Sequence, residues 1–246
     1  MNIAIVGYGE IGKSLEQVYN DYSEFKLTIV DKDFICGDEN IDIMNICLPL
    51  VDSFDTVVVS YIKKYNPRLC IIHTSTTPGI TEHIAERVSC GVVHSPVRGV
   101  HPNLYDGLKT FKKYIGYVDN EGKELCERHY SELKIPFESI KGPANTELAK
   151  LYSTTYYGLC IAFHGEMNRH FEELNLNYDI ITDWNKTYND GYKELGKEDV
   201  VRPVLTPPGK FIGGHCVIPN TELLQEIFAS KAFDLILNYK NINDKS

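Results

Sequence analysis

The 246-residue chain lacks any apolar run long enough to span a bilayer, and it does not open on a basic stretch followed by an apolar one. We therefore expect neither a membrane span nor a signal peptide. It also lacks a positive charge balance, because 25 lysines and arginines stand against 34 acidic residues, which gives a net charge of −9. Nucleic acids and anionic membranes bind basic surfaces, so we expect neither as a partner.

Regular cysteine spacing is also missing, since the seven cysteines are odd in number and scattered. Disulfide frameworks need paired cysteines, so we expect free thiols and a reducing, cytoplasmic compartment. His215 and Cys216 are adjacent, but no second pair stands at ligand spacing, and no metal site is predicted. Hydrophobic residues make up 43% of the chain and charged residues 24%, which indicates a globular protein.

Short apolar runs alternate with helix-like stretches through the first half of the chain. The candidate strands are Asn2–Val6, Lys26–Asp31, Ile43–Leu48, Leu69–His73, Gly91–His94 and Tyr114–Val118. Strands that are apolar almost throughout are typical of a parallel sheet covered by helices on both faces. We therefore predict an α/β fold, with a Rossmann-type doubly wound parallel sheet over residues 1–141.

A small all-helical domain is predicted over residues 142–246, after the boundary at Lys141-Gly142-Pro143. The pattern favours a long helix over about Asn145–Leu174, with Asn145 as its N-cap. A last helix is expected over about Thr221–Tyr239. The polar segment between these helices, which holds the only tryptophan, Trp184, is predicted to be a shaped loop.

The segment Gly7-Tyr8-Gly9-Glu10-Ile11-Gly12 follows the first predicted strand and precedes the first helix. In a G-x-G-x-x-G turn the first glycine permits the tight turn, the second admits a pyrophosphate, and the third lets the helix pack on the strand. Asp31 ends the second strand nineteen residues after Gly12, where a carboxylate accepts from a ribose 2′-hydroxyl and repels a 2′-phosphate. The pattern predicts NAD rather than NADP as cofactor, although Lys32 beside Asp31 weakens the preference.

Further cofactor contacts are expected where other strands end, because ligands of such sheets lie across the carboxyl edge. Leu48 ends the third predicted strand and Pro49 follows it, and Ser75 and Thr76 come just after the fourth. Ordinary turn chemistry explains these residues equally well.

The segment from Pro208 to Pro219, PGKFIGGHCVIP, places a cysteine just ahead of the last predicted helix. Gly213 and Gly214 let a ligand approach the backbone closely, and a helix N-terminus favours the thiolate form of Cys216. The alternative is a buried, inert thiol, which is how the other six cysteines are interpreted.

This segment resembles the P-G-x-x-x-G-G-H-C-x-x-P signature of the UDP-glucose/GDP-mannose dehydrogenase family, especially its UDP-N-acetylmannosaminuronate-forming members. Ser75-Thr76 and Glu147-Leu148-Ala149-Lys150 follow the family's order, and the second resembles its A-E-x-x-K-x-x-x-N helix motif. The resemblance covers the first two of the family's three domains. We expect the third, a C-terminal UDP-binding domain, to be missing.

The resemblance implies NAD-dependent oxidation of a hydroxyl on a small, sugar-like or nucleotide-sugar substrate, by a homodimer that forms through the long helix. In the family a cysteine captures the aldehyde made by the first oxidation, a second hydride leaves, and thioester hydrolysis releases an acid. Lys150 would stabilise oxyanion charge. The residues assigned to catalysis are Cys216, Lys150 and Thr154, and those assigned to the substrate are Arg98, Gly213, Gly214 and Asn220.

Three positions depart from the family pattern. Thr154 replaces an asparagine, and Asn220, which could equally be a helix N-cap, replaces an aspartate. Val97 stands where the family has the glutamate of thioester hydrolysis. Arg98, next to it, either binds a carboxylate or phosphate or is a surface charge.

Two alternatives stay open because of these departures. The stretch Ser95-Pro96-Val97-Arg98-Gly99 looks more like the A-P-V-S-G-G of β-hydroxyacid dehydrogenases, relatives that also use a helix lysine. The first alternative is therefore a two-electron dehydrogenase of that type. The second is a non-catalytic NAD-binding protein derived from the family.

Overall fold

The computed structural model describes residues 1–32, 35–37, 40–99 and 103–241. Its elements form two compact units, the first comprising Met1–Lys150 and the second beginning at Leu151. The strands are β1 (Asn2–Val6), β2 (Lys26–Val30), β3 (Ile35–Cys36), β4 (Ile43–Ile46), β5 (Leu69–Ile72), β6 (Gly91–His94), β7 (Lys113–Tyr117) and β8 (Phe137–Lys141). The helices are α1 (Glu10–Asn20), α2 (Phe54–Tyr65), α3 (Ile80–Ala85), α4 (Leu104–Thr110), α5 (Asn120–Glu132), α6 (Pro143–Glu173), α7 (Asp179–Glu194), α8 (Val217–Ile227) and α9 (Lys231–Leu237).

The strands of the described residues form one sheet in the order β3-β2-β1-β4-β5-β6-β7-β8. Neighbouring strands are parallel except at β2–β3 and β6–β7. Strand β1 lies between β2 and β4, with Ile5 opposite both Ile29 and Asn45. In sheets of this kind a crevice opens at the carboxyl ends of the strands where the strand order reverses. The predicted Rossmann-type doubly wound sheet is thus confirmed, as a mixed, mostly parallel sheet.

Helices cover both faces of this sheet. Ile3 and Ile5 of β1 join the core against α1, α4 and α5, whereas Ala4 and Val6 join the core against α2 and α3. Because both faces are covered, the central strands are buried throughout. Such burial is the reason that these strands are uninterrupted apolar runs in the sequence.

Strands β3 and β8 lie at the two edges of the sheet and are absent from the sequence prediction. Strand β3 has two residues, both exposed, and β8 is only partly buried, with Glu138 and Lys141 facing solvent. An edge strand needs no continuous apolar run, so neither carries the signal that reveals the central strands.

The described part of the second unit is helical, as predicted. Helix α6 begins at Pro143 rather than at an N-cap formed by Asn145, because proline suits the first helical position and Gly142 takes a φ of +84° before it. The segment around Trp184 is helix α7 and not a loop. The predicted last helix consists of two helices, α8 and α9. Ser230 lies directly before α9, and its hydroxyl caps that helix.

A small core holds this unit together, and it consists of Ala162, Ile212, Val217, Ile218 and Ile236. Among the described residues, no helix combines the length and the apolar character that a bilayer crossing requires.

Candidate functional site

The glycine-rich segment between β1 and α1 has the geometry of a dinucleotide-binding turn. Gly7 has a φ of +95°, and an added Cβ there would lie 2.7 Å from the Cys47 carbonyl oxygen. An added Cβ at Gly12 would clash with the carbonyl oxygen of Gly7, so this glycine lets α1 pack against the turn. Gly9 differs from both, because nothing lies within 4 Å of its added Cβ. The space beside Gly9, at the N-terminus of α1, suits a pyrophosphate.

Asp31 lies against this turn. Its Oδ2 accepts from the backbone N–H of Tyr8 at 2.6 Å, and its Oδ1 accepts from the N–H of Lys32 at 2.6 Å. These N–H groups, that of Lys32 first, hold the pKa of Asp31 below its usual value. The side chain is half-buried, and each carboxylate oxygen has further acceptor capacity. An ionised, fixed carboxylate beside the turn can accept from ribose hydroxyls.

The loops after β4 and β5 meet at the same edge of the sheet. The hydroxyl of Thr74 donates to the carbonyl oxygen of Leu48 at 2.6 Å, which ties the two loops together. Leu48 and Ser75 are half-buried, and Pro49 is exposed. These predicted cofactor contacts therefore lie at the carboxyl ends of β4, which neighbours β1, and of β5, which neighbours β4.

Glu147, near the start of α6, is a wholly buried carboxylate. Its Oε1 accepts from the hydroxyl of Thr76 at 3.2 Å and from the N–H and hydroxyl of Thr81 at 2.9 and 2.6 Å. Its Oε2 accepts from the N–H of Gly79 at 2.8 Å. Four donors offset the cost of burying the charge and fasten α6 to the loop after β5. Thr76 consequently has its side chain turned inward, and the whole residue is buried.

Lys150 lies one turn further along α6. Its Nζ donates to the carbonyl oxygen of Val97 at 3.0 Å. Arg98, the next residue, is exposed, and its guanidinium lies over the rings of Phe111 and Tyr114, 5.6 Å from each centroid. An exposed, stacked guanidinium keeps N–H groups for an anion, so both interpretations of Arg98 stay open.

Lys113, which the sequence analysis did not identify, is buried beneath the segment that contacts Lys150. Its Nζ donates to the carbonyl oxygens of Ser95 at 2.5 Å and Pro96 at 3.0 Å, and lies 3.3 Å from Nδ1 of His73. Burial lowers the pKa of Lys113 to about 7. Two consecutive carbonyls are thus held by Lys113 and the next one by Lys150. Lysines are rarely buried, so no sequence signal distinguishes this one.

In the second unit, Cys216 lies immediately before α8 and is half-buried. The N–H of Asn220 donates to the carbonyl oxygen of Cys216 at 3.1 Å, so Asn220 lies in the first turn of α8 and is not its N-cap. Gly213 and Gly214 have nothing within 4 Å of an added Cβ, and Gly214 has a φ of +89°. The structure therefore places open space beside the cysteine backbone. Thr154, the third predicted catalytic residue, is half-buried on α6.

The residues of the first unit fit a nicotinamide dinucleotide in three respects. Open space lies beside Gly9, and this glycine places no side chain at the N-cap of α1. The third respect is Asp31, which carries a fixed negative charge beside the turn. Backbone N–H groups at a helix N-terminus bind phosphates, and the carboxylate complements a ribose.

The resemblance indicated by the motifs is confirmed by curated relatives. A UDP-N-acetyl-D-mannosamine dehydrogenase of Methanocaldococcus jannaschii is 27% identical over 192 residues, which are 76% of this chain and 42% of the relative. One of Methanococcus vannielii is 24% identical over 205 residues, again 42% of its length. The chain thus spans less than half the length of the curated relatives it matches. No protein-family model matches it.

Solved structures share the fold. A UDP-D-ManNAc dehydrogenase from Pyrococcus horikoshii superposes with a TM-score of 0.74 at 18% identity, over 97% of this chain and 68% of that chain. A 3-hydroxyisobutyrate dehydrogenase of Mycobacterium tuberculosis superposes with a TM-score of 0.67 at 14% identity, over 96% of this chain and 90% of that chain.

Proposed function

We propose that the first unit binds NAD and that the chain is an NAD-dependent oxidoreductase that oxidises a hydroxyl of a sugar-like substrate. The observation that carries this proposal is the turn at Gly7–Gly12, with open space at Gly9 and the carboxylate of Asp31 beside it. The same proposal includes the remaining predicted cofactor contacts, which are Tyr8, Glu10, Ile11, Lys32, Leu48, Pro49, Ser75 and Thr76. The relatives named as dehydrogenases support it.

When bound, the cofactor would supply the hydride acceptor. Lys150 is the residue best placed in the first unit to stabilise the oxygen that loses its proton, because the Val97 carbonyl fixes the position of its ammonium group. Cys216 would supply a nucleophile for an aldehyde, with Gly213 and Gly214 leaving space for the substrate. Thr154 is the third group assigned to catalysis, and Asn220 and Arg98 are the further polar groups assigned to the substrate.

The relatives, which are named for UDP-N-acetyl-D-mannosamine, support a proposal for the substrate class. We propose a nucleotide-sugar or a similar sugar derivative, handled in a reducing compartment such as the cytoplasm, where the seven cysteines would stay reduced.

A second candidate is a two-electron dehydrogenase of β-hydroxyacids. Val97 is buried and places no carboxylate where the family has its hydrolytic glutamate, which favours a reaction without a thioester. The 3-hydroxyisobutyrate dehydrogenase is also matched over 90% of its length. In this case Lys150 keeps its role and Cys216 has none in catalysis.

Cofactor choice is tested by calorimetric titration of the wild type and Asp31→Ala with NAD and with NADP. We expect NAD to bind more tightly than NADP, and the substitution to weaken NAD binding by about 1–3 kcal/mol, since hydrogen bonds to a charged group are lost. Asp21→Ala, at the other end of α1, is the matched control and should bind NAD as the wild type does. Equal affinities for the two cofactors, with no effect of Asp31→Ala, would remove the assignment.

A further inference from the structure

The segment Ser95–Val97, directly after β6, continues past the point where β6 and β7 pair. The ladder between these strands ends at His94 opposite Gly116, although β7 begins at Lys113. Pro96 has no N–H group, so it cannot donate to a continued ladder. The segment is buried nevertheless, and its carbonyl oxygens must therefore find donors within the protein.

Side chains supply these donors, and Lys113 of β7 supplies two of them. Its Nζ donates to the carbonyl oxygen of Ser95 at 2.5 Å and to that of Pro96 at 3.0 Å. Nδ1 of His73 also lies 2.9 Å from the Ser95 oxygen. The Pro96 oxygen has no second donor among the residues that the structure describes. The position of the Pro96 carbonyl therefore depends on Lys113.

Lys113 is a costly way to satisfy two carbonyl oxygens. It is 2% exposed, and burial lowers its pKa to about 7. In the part of the chain that the structure describes, no acidic side chain forms an ion pair with it. A neutral donor would satisfy the same oxygens without the cost of burying a charge. A buried lysine of this kind, beside a candidate site, therefore indicates a role in the site rather than in stability.

The far end of the segment meets Lys150 of α6. The Val97 carbonyl, next along the chain after that of Pro96, accepts from Nζ of Lys150 at 3.0 Å. Val97 is buried and Lys150 is half-buried, and a lysine ends in a flexible stem, so the carbonyl is the fixed partner and the ammonium group the adjustable one. Adjacent peptide units are planar, so a shift of the Pro96 carbonyl tilts the unit that follows it.

We propose that Lys113 is a positioning residue for the proposed oxidation, which fixes the carbonyl of Val97 and through it the ammonium group of Lys150. The role of Lys150 rests on the proposed function, but the geometry that this inference predicts is measurable without a substrate. Lys113 acts through the backbone and, being buried, contacts neither substrate nor cofactor.

NMR can observe the Val97 carbonyl almost alone. Labelling with carbonyl-¹³C valine and ¹⁵N arginine selects peptide bonds from valine to arginine, and the sequence holds two of these, Val97-Arg98 and Val201-Arg202. A carbonyl carbon moves upfield when its oxygen loses a hydrogen-bond donor, so the Val97 carbon reports the bond from Lys150. The Val201 carbon belongs to the second unit and is the internal control.

We expect the Val97 carbon to move upfield in Lys150→Met, which removes its donor, and in the same direction in Lys113→Met, which does not touch the Val97 oxygen. Lys113→Gln keeps an N–H donor on a shorter side chain, so a smaller movement is expected, and it replaces Lys113→Met should that variant not fold. Ile115→Val, a buried change on the same strand, should leave the carbon in place. A Val97 carbon that stays fixed in both Lys113 variants overturns the proposal, as does an equal movement in Ile115→Val.

The kinetic readout is NADH formation from the substrate that the wild type oxidises. We expect kcat to fall about tenfold or more in Lys113→Met with KM for NAD unchanged, because a displaced catalytic group loses its alignment. Ile115→Val should keep the wild-type kcat. An unchanged kcat in Lys113→Met, with Lys150→Met inactive, overturns the positioning role. Absence of NADH from the wild type contradicts the proposed function instead, and the carbonyl shift then still decides whether Lys113 positions Lys150.

Discussion

Three buried histidines, His73, His94 and His129, make the stability of the first unit depend on pH. Burial lowers the pKa of His94 and of His129 to about 3, and that of His73 well below its usual value, because a charged imidazolium is disfavoured away from water. In the unfolded chain the pKa of histidine is about 6.5. Between these values the unfolded state binds protons that the folded state does not. The contribution to stability is therefore complete above pH ~6.5 and is lost as the pH falls towards 3.

We expect the free energy of unfolding to fall by about 1.4 kcal/mol per pH unit for each buried histidine in this window. Urea unfolding at several pH values measures the slope. His94→Gln should reduce this slope by the share of one histidine, whereas His215→Gln, at an exposed position, should leave it unchanged. Equal slopes in all three proteins would show that these histidines are not buried neutral groups.

The turn between β1 and α1 offers a test at the scale of an element, since two of its glycines should respond differently to the same change. Gly12→Ala places a Cβ against the Gly7 carbonyl, so we expect a loss of stability of about 2 kcal/mol or more. Gly9→Ala meets no atom within 4 Å and should keep the stability of the wild type. Its methyl group occupies the space expected for the pyrophosphate, so NAD binding should fall at least about tenfold.

Thermal unfolding and NAD titration of the two alanine variants separate these effects. A Gly9→Ala protein that binds NAD as the wild type does would contradict the assignment of this turn to the cofactor.

How far the sequence predicts each element depends on how the element is buried. Strands β1 and β4–β6 are covered on both faces and produce apolar runs, so they are predictable. Helix α7 has no buried residue, and its polar sequence with Trp184 therefore resembles a loop. The break between α8 and α9 depends on one cap, that of Ser230.

The candidate site shows the same limit. The glycines, Asp31, Lys150 and Cys216 belong to local motifs, which a sequence displays. The roles of Glu147 and Lys113 depend on partners distant in the chain, such as Thr81 and Ser95. A buried lysine cannot be distinguished from an exposed one until the strands are paired.

For the whole molecule, we propose a homodimer formed through the long helix. Helix α6 exposes Tyr156 and Phe163, with 66% and 54% of each residue accessible, and Trp184 of α7 is 58% exposed. Exposed aromatic groups of this size on one unit indicate a surface that another chain covers. Light scattering at micromolar concentration should give twice the 28.0 kDa of one chain.

Tyr156→Glu combined with Phe163→Glu should lower that mass to one chain, because the interface would then bury two unpaired charges. Lys186→Glu, a polar position of α7, is the control. A wild type that scatters as a single chain would exclude the dimer.

The proposed oxidation of a hydroxyl with NAD is tested most directly by the number of NADH molecules formed per substrate molecule. Purified protein is given NAD with UDP-N-acetyl-D-mannosamine or, separately, with a set of 3-hydroxyacids. We predict NADH from one of these, lost in Lys150→Met and retained in Lys112→Met, whose lysine pairs with Glu138 at the surface. Two NADH per sugar, falling to at most one in Cys216→Ser, would assign the cysteine its covalent role, and one NADH from a hydroxyacid would assign the two-electron reaction. Saturating NAD binding without NADH from any of these substrates would contradict the account.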